Sequence, residues 1–378
     1  MICPFLQEST IQSKVIFCTF ANGFELPTLY FELFKNSDMN DNQISYSLLE
    51  LSLVAQGKSF KETLNDSLDL AKAAEDLGYT RIWFAEHHNS DNIGSSATSL
   101  LIGYVADNTE RIRVGSGGVM LPNHSPLIIA EQFGTLAHLY PNRIDLGLGR
   151  APGTDPATAQ AIRSDFMQAA HSFPQEVEKI QQYFSADNKA AKVRAPIAEG
   201  TDVPLYILGS STDSAYLAAG KGLPYAFASH FATTHLFQAL KIYHERFQPS
   251  PYMERPYTMA GVNIIIADTD EEAERQFTTL IRMFLGVLTG ARDPLQPPTD
   301  MDEELRQILQ HSSVHQMLRY SFVGSKETVK AQVRDFLQQT RVDELIAVSN
   351  MYDHQDRLKS VRLFAELMGE INEERGGQ

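Results

Sequence analysis

Cysteine is scarce in this sequence, which has only Cys3 and Cys18 among its 378 residues. Both lie near the start, so the rest of the chain must work without disulfides, thiolate nucleophiles or cysteine-metal sites. Basic residues are also few, since 32 lysines and arginines against 47 acidic residues give a net charge of −15. This charge repels phosphate backbones and predicts no nucleic-acid partner. We therefore expect a small-molecule substrate and a reducing, cytoplasmic setting.

Long hydrophobic runs are missing as well. A bilayer span needs roughly 18 to 20 apolar residues, and the best candidate, residues 15–34, is interrupted by Asn22, Glu25 and Pro27. A secretory signal also fits poorly, because only Lys14 precedes the short apolar stretch. The sequence therefore predicts no membrane span and no membrane partner.

From about residue 44 onward, short apolar runs alternate with helical patterns. This order is typical of parallel sheets, in which each strand needs a crossover helix before the next one. About eight such units fit the chain, so we predict an α/β fold of the (β/α)8 TIM-barrel type. The predicted strands cover residues 44–53, 80–85, 112–121, 143–148, 203–208, 224–229, 259–267 and 342–349, and residues 353–368 form a closing helix.

The barrel domain is predicted over residues 39–378, and two stretches depart from its regular pattern. Residues 1–38 fit no strand or helix of the barrel, so they are an N-terminal appendage or the product of a wrongly chosen start codon. Residues 290–313 are polar and contain proline, which predicts an inserted loop late in the chain. Inserted loops on such barrels often act as lids.

The active site of a parallel barrel lies at the carboxyl ends of the strands, which directs attention to the residues just after each apolar run. Glu86, His87 and His88 follow the second predicted strand. Two imidazoles beside a carboxylate can exchange protons near neutral pH. Adjacent histidines on a strand point to opposite faces, so we expect no metal here. The alternative is that these histidines only fill polar positions at a strand end.

The third predicted strand contains three glycines in four residues around Ser116, Gly117 and Gly118. Glycines weaken a strand unless another body lies against its backbone, and a flat ring would be such a body. A β-bulge or a sharp bend is the alternative explanation.

Two later strand ends are suited to an anion. Arg150 lies in a turn of small residues, and a guanidinium binds phosphate oxygens in a bidentate manner. Ser210, Ser211 and Ser214 open a helix after the next strand and offer backbone N–H groups and hydroxyls. A solvent-exposed arginine and ordinary helix capping are the alternatives. A dinucleotide-binding loop is excluded, because Pro152 occupies the third glycine position of G-x-G-x-x-G.

In combination, three motifs resemble the bacterial-luciferase-like flavin monooxygenase family. They are WFAEHH at residues 83–88, the glycine-rich run through residues 121–122, and NRIDLGLGR at residues 142–150. The form LGLGRAPG is similar to the uncharacterised single-chain branch of that family. The light-emitting members have a reactive cysteine where this sequence has Gly149, so we expect neither luminescence nor an aldehyde substrate.

The resemblance implies that FMN lies across the carboxyl face of the barrel. Its ring is expected against a bulge with a nonproline cis peptide, and its phosphate near the arginine after the fourth strand. His87 is expected beside the reactive part of the flavin, with Glu86 as its polar neighbour, and both are the predicted catalytic residues. The implied cofactor-binding residues are Ser116, Gly117, Gly118, Arg150, Ser210, Ser211, Ser214 and Ser229.

The activity implied by the resemblance is that of an FMN-dependent monooxygenase. Such an oxidoreductase receives reduced FMN from a separate flavin reductase and uses O2 to oxidise a small organic substrate. Two alternatives are a deazaflavin-dependent hydride transfer on the same fold and a noncatalytic flavin-binding protein. The resemblance also implies a homodimer formed through the helices beside the early strands.

Overall fold

The computed structural model describes residues 43–376, whose strands form a closed parallel barrel. The strands of this part of the chain are β1 Ser45–Glu50, β2 Arg81–Phe84, β3 Arg113–Met120, β4 Ile144–Gly149, β5 Leu205–Gly209, β6 Tyr225–Phe227, β7 Thr258–Ile266, β8 Ser321–Gly324 and β9 Glu344–Val348. Strands β1 to β7 run around the barrel in sequence order, and β9 closes the ring between β7 and β1. Strand β8 pairs with the carboxyl-terminal half of β7. The predicted (β/α)8 barrel is confirmed.

Helices cover the outside of the ring. Within the described residues they are α1 Phe60–Asp76, α2 Thr98–Asp107, α3 Pro126–Leu139, α4 Pro156–Ile162, α5 Phe166–His171, α6 Phe173–Phe184, α7 Thr212–Lys221, α8 Leu236–Arg246, α9 Asp270–Thr289, α10 Glu303–Gln310, α11 Ser312–Met317, α12 Lys326–Thr340 and α13 His354–Gly376. Their starts follow from local sequence. At α1, Ser59 and Glu62 form a capping box in which each side chain accepts a hydrogen bond from the other's backbone N–H.

The two faces of each barrel strand are buried in different surroundings. On β2, Ile82 and Phe84 belong to the large core between the sheet and the helices, whereas Trp83 belongs to a smaller core inside the barrel. Ala85 continues the inner row just beyond the strand end. This alternation follows from the two-residue period of a strand and fixes which later residues face the barrel axis.

A layer of charged residues fills the barrel interior at its amino end. The guanidinium of Arg81 donates to Asp145 at 2.8 Å and to Glu344 at 2.9 Å, and both acids are fully buried. Tyr206 accepts a further hydrogen bond from Arg81 at 2.6 Å, and Trp83 donates to Asp145 at 3.1 Å. The buried charges are therefore paired and hydrogen-bonded, as a low-dielectric interior requires. This network closes the end of the barrel opposite the expected active site.

Residues 290–313 depart in part from the predicted loop. Residues 290–302 have no regular structure, but α10 and the start of α11 lie within the segment. Helix α10 begins because Asp302 accepts a hydrogen bond from the backbone of Leu305, whose buried side chain packs against α9. We call residues 290–317, which include all of α11, the cover segment.

The cover segment contacts loops that follow several strands at the carboxyl end of the barrel. Leu295 pairs with Ala55 beyond β1, and Arg292 pairs with Asp155 beyond β4 at 3.1 Å. Thr233, beyond β6, donates to the carbonyl of Gln316 at 2.7 Å. The segment therefore lies where a lid over the active site is expected.

The predicted appendage at residues 1–38 lies outside the described residues. In the part that is described, no helix is both long and apolar enough to cross a membrane.

Candidate active site

Glu86 and His88 continue one face of β2, and His87 continues the other. Arg81, Trp83 and Ala85 occupy the barrel interior, so the two-residue period places His87 on the side of the axis. Consistent with this period, the imidazole of His88 contacts the carboxylate of Glu86, at 2.8 Å, on the other side. The three residues that the sequence grouped together therefore divide between two environments.

Glu86 is the centre of a buried hydrogen-bond cluster. Its carboxylate accepts bonds from the backbone N–H of Met120, the amide of Asn123 and the imidazole of His124, each at 2.9 Å, and from His88. Burial alone would raise the pKa of Glu86, but these bonds hold it at about 2. Glu86 is thus a carboxylate at neutral pH, and it fixes the loop between β3 and α3.

The ring of His87 is oriented by a carbonyl. Its Nδ1 lies 3.1 Å from the backbone oxygen of Gly153, and because a carbonyl only accepts, Nδ1 carries the proton. Burial lowers the pKa of His87, so the imidazole is neutral at pH 7. The lone pair then resides on Nε2. His87 is consequently arranged as a proton acceptor on the side of the barrel axis.

The glycine-rich end of β3 forms a bulge against β4. Pairing shifts register between Ser116 and Val119, and the peptide between Gly117 and Gly118 is cis. A Cβ on Gly117 would come within 2.6 Å of Leu49, so only glycine fits. The expected bulge and its cis peptide are present. The hydroxyl of Ser116 donates to the carbonyl of Gly147 at 2.8 Å and helps to hold this geometry.

Arg150 lies beside the amino end of α7. Its guanidinium is half exposed and contacts Asp213 at 3.3 Å. Ser210 is exposed, and Ser211 is the N-cap of α7 without a side-chain capping bond. A guanidinium and unsatisfied helix N–H groups next to each other are suited to binding a phosphate. The structure brings these predicted residues together, with Asp213 as a competitor for the arginine.

Two predicted contact residues have hydroxyls that are engaged within the protein. Ser214 donates to the carbonyl of Ser211 at 2.7 Å and lies 3.0 Å from the hydroxyl of Tyr225. Ser229 is fully buried and donates to the carbonyl of Gly261 at 2.7 Å. Their assignment to the flavin remains a prediction, and in this structure the hydroxyl of Ser214 binds the N-cap of α7 and that of Ser229 binds the backbone of β7.

Four residues at this end of the barrel did not emerge from the sequence. Asn123 and His124 surround Glu86, whereas His230 follows β6 and Asn263 lies on the axis-facing row of β7. The runs PNHSP after β3 and SH after β6 are polar residues directly behind apolar strands, which is the signal that identified Glu86. Within residues 43–376, no group of three or more histidine, cysteine, aspartate or glutamate residues is arranged to hold a metal ion.

Solved structures with this fold include proteins that use different flavins. A type II Baeyer–Villiger monooxygenase of Pseudomonas putida in complex with FMN has a TM-score of 0.64 at 19% identity and covers 86% of this chain and 97% of its own. An F420-dependent secondary alcohol dehydrogenase has a TM-score of 0.66 at 14% identity, covering 87% and 99%. At such identities these likenesses establish the fold alone.

More similar proteins identify the family. Residues 31–344 match the family described as luciferase-like monooxygenase. A luciferase-like monooxygenase of Escherichia coli (strain K12) is 46% identical over 333 residues, which are 88% of this chain and 99% of that protein. The crystal structure of apo-MsnO8 has a TM-score of 0.79 at 33% identity and covers 86% of this chain and 99% of its own. This chain belongs to the luciferase-like monooxygenase family, whose members include oxidoreductases.

Proposed function

We propose that this protein is an FMN-dependent monooxygenase that receives reduced FMN from a separate flavin reductase and uses O2 to oxidise a small organic substrate. The observation that carries the proposal is the arrangement of three flavin-compatible parts behind neighbouring strands. Neutral His87 follows β2, the bare backbone of Gly117 and Gly118 lies in β3, and Arg150 follows β4. Because these strands are adjacent, one extended ligand can contact all three parts.

The residues present fit FMN at both of its ends. The flat ring needs a surface without side chains, and Gly117 and Gly118 in the bulge of β3 have none. The phosphate needs cationic and N–H donors, which Arg150 and the start of α7 supply. A bound phosphate would draw Arg150 away from Asp213, since both are anions that compete for one guanidinium.

The chain's own residues manage protons and water around the reaction. Reduced FMN, when bound, supplies the two electrons with which one atom of O2 enters the substrate and the other leaves as water. Nε2 of His87 accepts a proton on the axis side, while the carbonyl of Gly153 keeps the ring in that tautomer. Glu86 has an indirect, positioning role, because its carboxylate holds the loop between β3 and α3 beside the site. The cover segment excludes water, which limits wasteful release of peroxide.

A second copy of this chain is the partner that its surface favours. Leu100 and Tyr104 on α2 are 74% and 41% exposed, and Ile128 on the neighbouring α3 is 48% exposed. Exposed apolar side chains on adjacent helices are typical of an interface. These helices lie beside β2 and β3, so the homodimer would bury the side of the barrel nearest to His87.

Anaerobic titration of the purified full chain with reduced FMN, followed by exposure to O2, tests the function. We expect tight binding, reoxidation kinetics that differ from those of free reduced FMN, and delayed release of H2O2. Reoxidation at the rate of free FMN, with one H2O2 per flavin, would instead identify a noncatalytic flavin-binding protein.

The same titration with a reduced deazaflavin tests the alternative of hydride transfer. The F420-dependent neighbour makes this the rival to exclude. Binding of the deazaflavin without binding of FMN would replace the monooxygenase proposal, because deazaflavin hydride transfer needs no O2.

A further inference from the structure

Two polar side chains that the mechanism does not use lie behind β6 and on β7. His230 follows β6, and Asn263 shares the axis-facing row of β7 with Met259 and Gly261. The amide nitrogen of Asn263 donates to the carbonyl of His230 at 2.6 Å. The two residues therefore form one unit on the wall of the barrel mouth.

The amide of Asn263 has a defined orientation. Its Nδ2 also approaches the hydroxyl of Ser321 at 3.2 Å, and rotating the amide by half a turn would bring Oδ1 against the carbonyl of His230. Oδ1 thus stays an acceptor, and no donor in residues 43–376 reaches it although Asn263 is only 1% exposed. A buried acceptor without a donor is costly, and such atoms require an explanation.

The ring of His230 lies directly against the backbone of β7. A Cβ on Gly261 would come within 2.4 Å of Nδ1, so glycine at this position allows the imidazole to occupy the wall. Nδ1 is a second buried polar atom that finds no partner in the described part of the chain. Two such atoms on neighbouring residues indicate a place for a polar group from outside the protein.

This wall carries no charge. Burial, followed by the proximity of His87, lowers the pKa of His230 to about 3, so its ring is neutral in solution near pH 7. The charges of Glu86 and Arg292 at the same end are engaged with His124 and Asp155. A carboxylate placed here would meet the Oδ1 acceptor of Asn263 without a compensating cation, whereas a neutral N–H or O–H group would be bound.

We propose that His230 and Asn263 form a polar subsite that receives a neutral hydrogen-bond-donating group of the substrate, such as an amide or a hydroxyl, opposite His87. This inference rests on the proposed function, because it makes the barrel mouth the substrate site. The donor of the ligand binds Oδ1 of Asn263, and the imidazole of His230 provides the adjoining contact.

Three probes of one size test the subsite in the full chain, with and without FMN. Hexanamide donates and accepts hydrogen bonds, butyl methyl ketone only accepts, and hexanoate carries a charge. Long-range proton–nitrogen NMR spectra of the histidine rings give the affinities, and His230→Gln assigns the signal of His230. We expect hexanamide to bind about fivefold to tenfold more tightly than the ketone, and hexanoate to bind most weakly.

Variants separate the two residues of the subsite. Asn263→Leu should remove the preference for hexanamide over the ketone, whereas Asn108→Leu, the same change at an exposed site at the end of α2, should preserve it. Gly261→Ala should displace the His230 ring and weaken hexanamide binding. If Asn263→Leu does not fold, the relative affinities of the three probes for the unmodified chain still test the subsite.

The outcomes distinguish the subsite from the flavin proposal. Equal affinities for the three probes, or perturbation of every histidine signal except that of His230, would overturn the subsite. Loss of FMN binding with an intact probe preference would overturn the flavin proposal while the subsite stands.

Discussion

The carboxylate of Glu86 offers a quantitative test of the site's architecture. Burial opposes its ionisation, but hydrogen bonds from His124, His88 and Asn123 lower its pKa from 4.5 to about 2. This lowering of the pKa corresponds to about 3 kcal/mol. Glu86→Gln turns an acceptor oxygen into a donor that faces other donors. We therefore expect the variant to lose about 3 kcal/mol of the free energy of unfolding at pH 7.

The pH dependence of this loss identifies its electrostatic origin. Because folding lowers the pKa of Glu86, its contribution is complete above about pH 4.5 to 5 and disappears as the pH falls through about 2. The difference between the unmodified chain and Glu86→Gln should shrink to about 1.5 kcal/mol at pH 3. Urea unfolding followed by the fluorescence of Trp83, the single tryptophan, buried inside the barrel, measures it.

A matched control is available on α8. Glu245 forms an exposed pair with Lys241 at 3.8 Å, so Glu245→Gln should change stability by only a few tenths of a kcal/mol. A loss below about 1 kcal/mol for Glu86→Gln at pH 7 would refute the reasoning, as would a loss that does not vary between pH 7 and pH 3.

Four further changes test the proposed roles. Arg150→Ala should weaken reduced FMN by about tenfold to a hundredfold and leave riboflavin, which lacks the phosphate, unchanged in parallel titrations. His87→Ala should keep its affinity for FMN and raise the H2O2 formed per FMN oxidised; a loss of FMN binding would mean that the histidine is structural. Arg292→Ala frees the cover segment from Asp155, so H2O2 release should rise with little change in melting temperature, whereas unchanged release would argue against a lid. Leu100→Asp should convert a dimer to a monomer in sedimentation, and an unaltered mass would exclude that face.

The expectation that polar residues after barrel strands form the site had an uneven result. It singled out Glu86, His87 and Arg150, which lie within two residues of the end of an apolar run. The same expectation could not predict the hydrogen-bond partners of Glu86. His124 is 38 residues further along the chain and contacts the carboxylate only because β2 and β3 lie side by side. The same rule applied to His230 would have found it, because that residue directly follows the predicted strand at residues 224–229.

The fold was predictable where patterns are long and less so where they are short. Strand β8 has four residues with alternating burial, too few for a periodic signal to stand out. Helix α10 was hidden by the polar character of its surroundings, although Asp302 is a helix-capping residue and Leu305 a single buried anchor. In both cases the element is stabilised by a neighbour, β7 or α9, and the local sequence alone contains too little of that information.

The charged layer formed by Arg81, Asp145 and Glu344 closes the amino end of the barrel. Access is then confined to the carboxyl end of the barrel. Cofactor, substrate and product must therefore enter and leave through the same opening. If the flavin lies over β2 to β5 as proposed, the remaining passage is bounded by β6, β7 and the cover segment. Turnover would then depend on the order in which the ligands bind and dissociate. Slow dissociation of oxidised flavin would delay the next catalytic cycle.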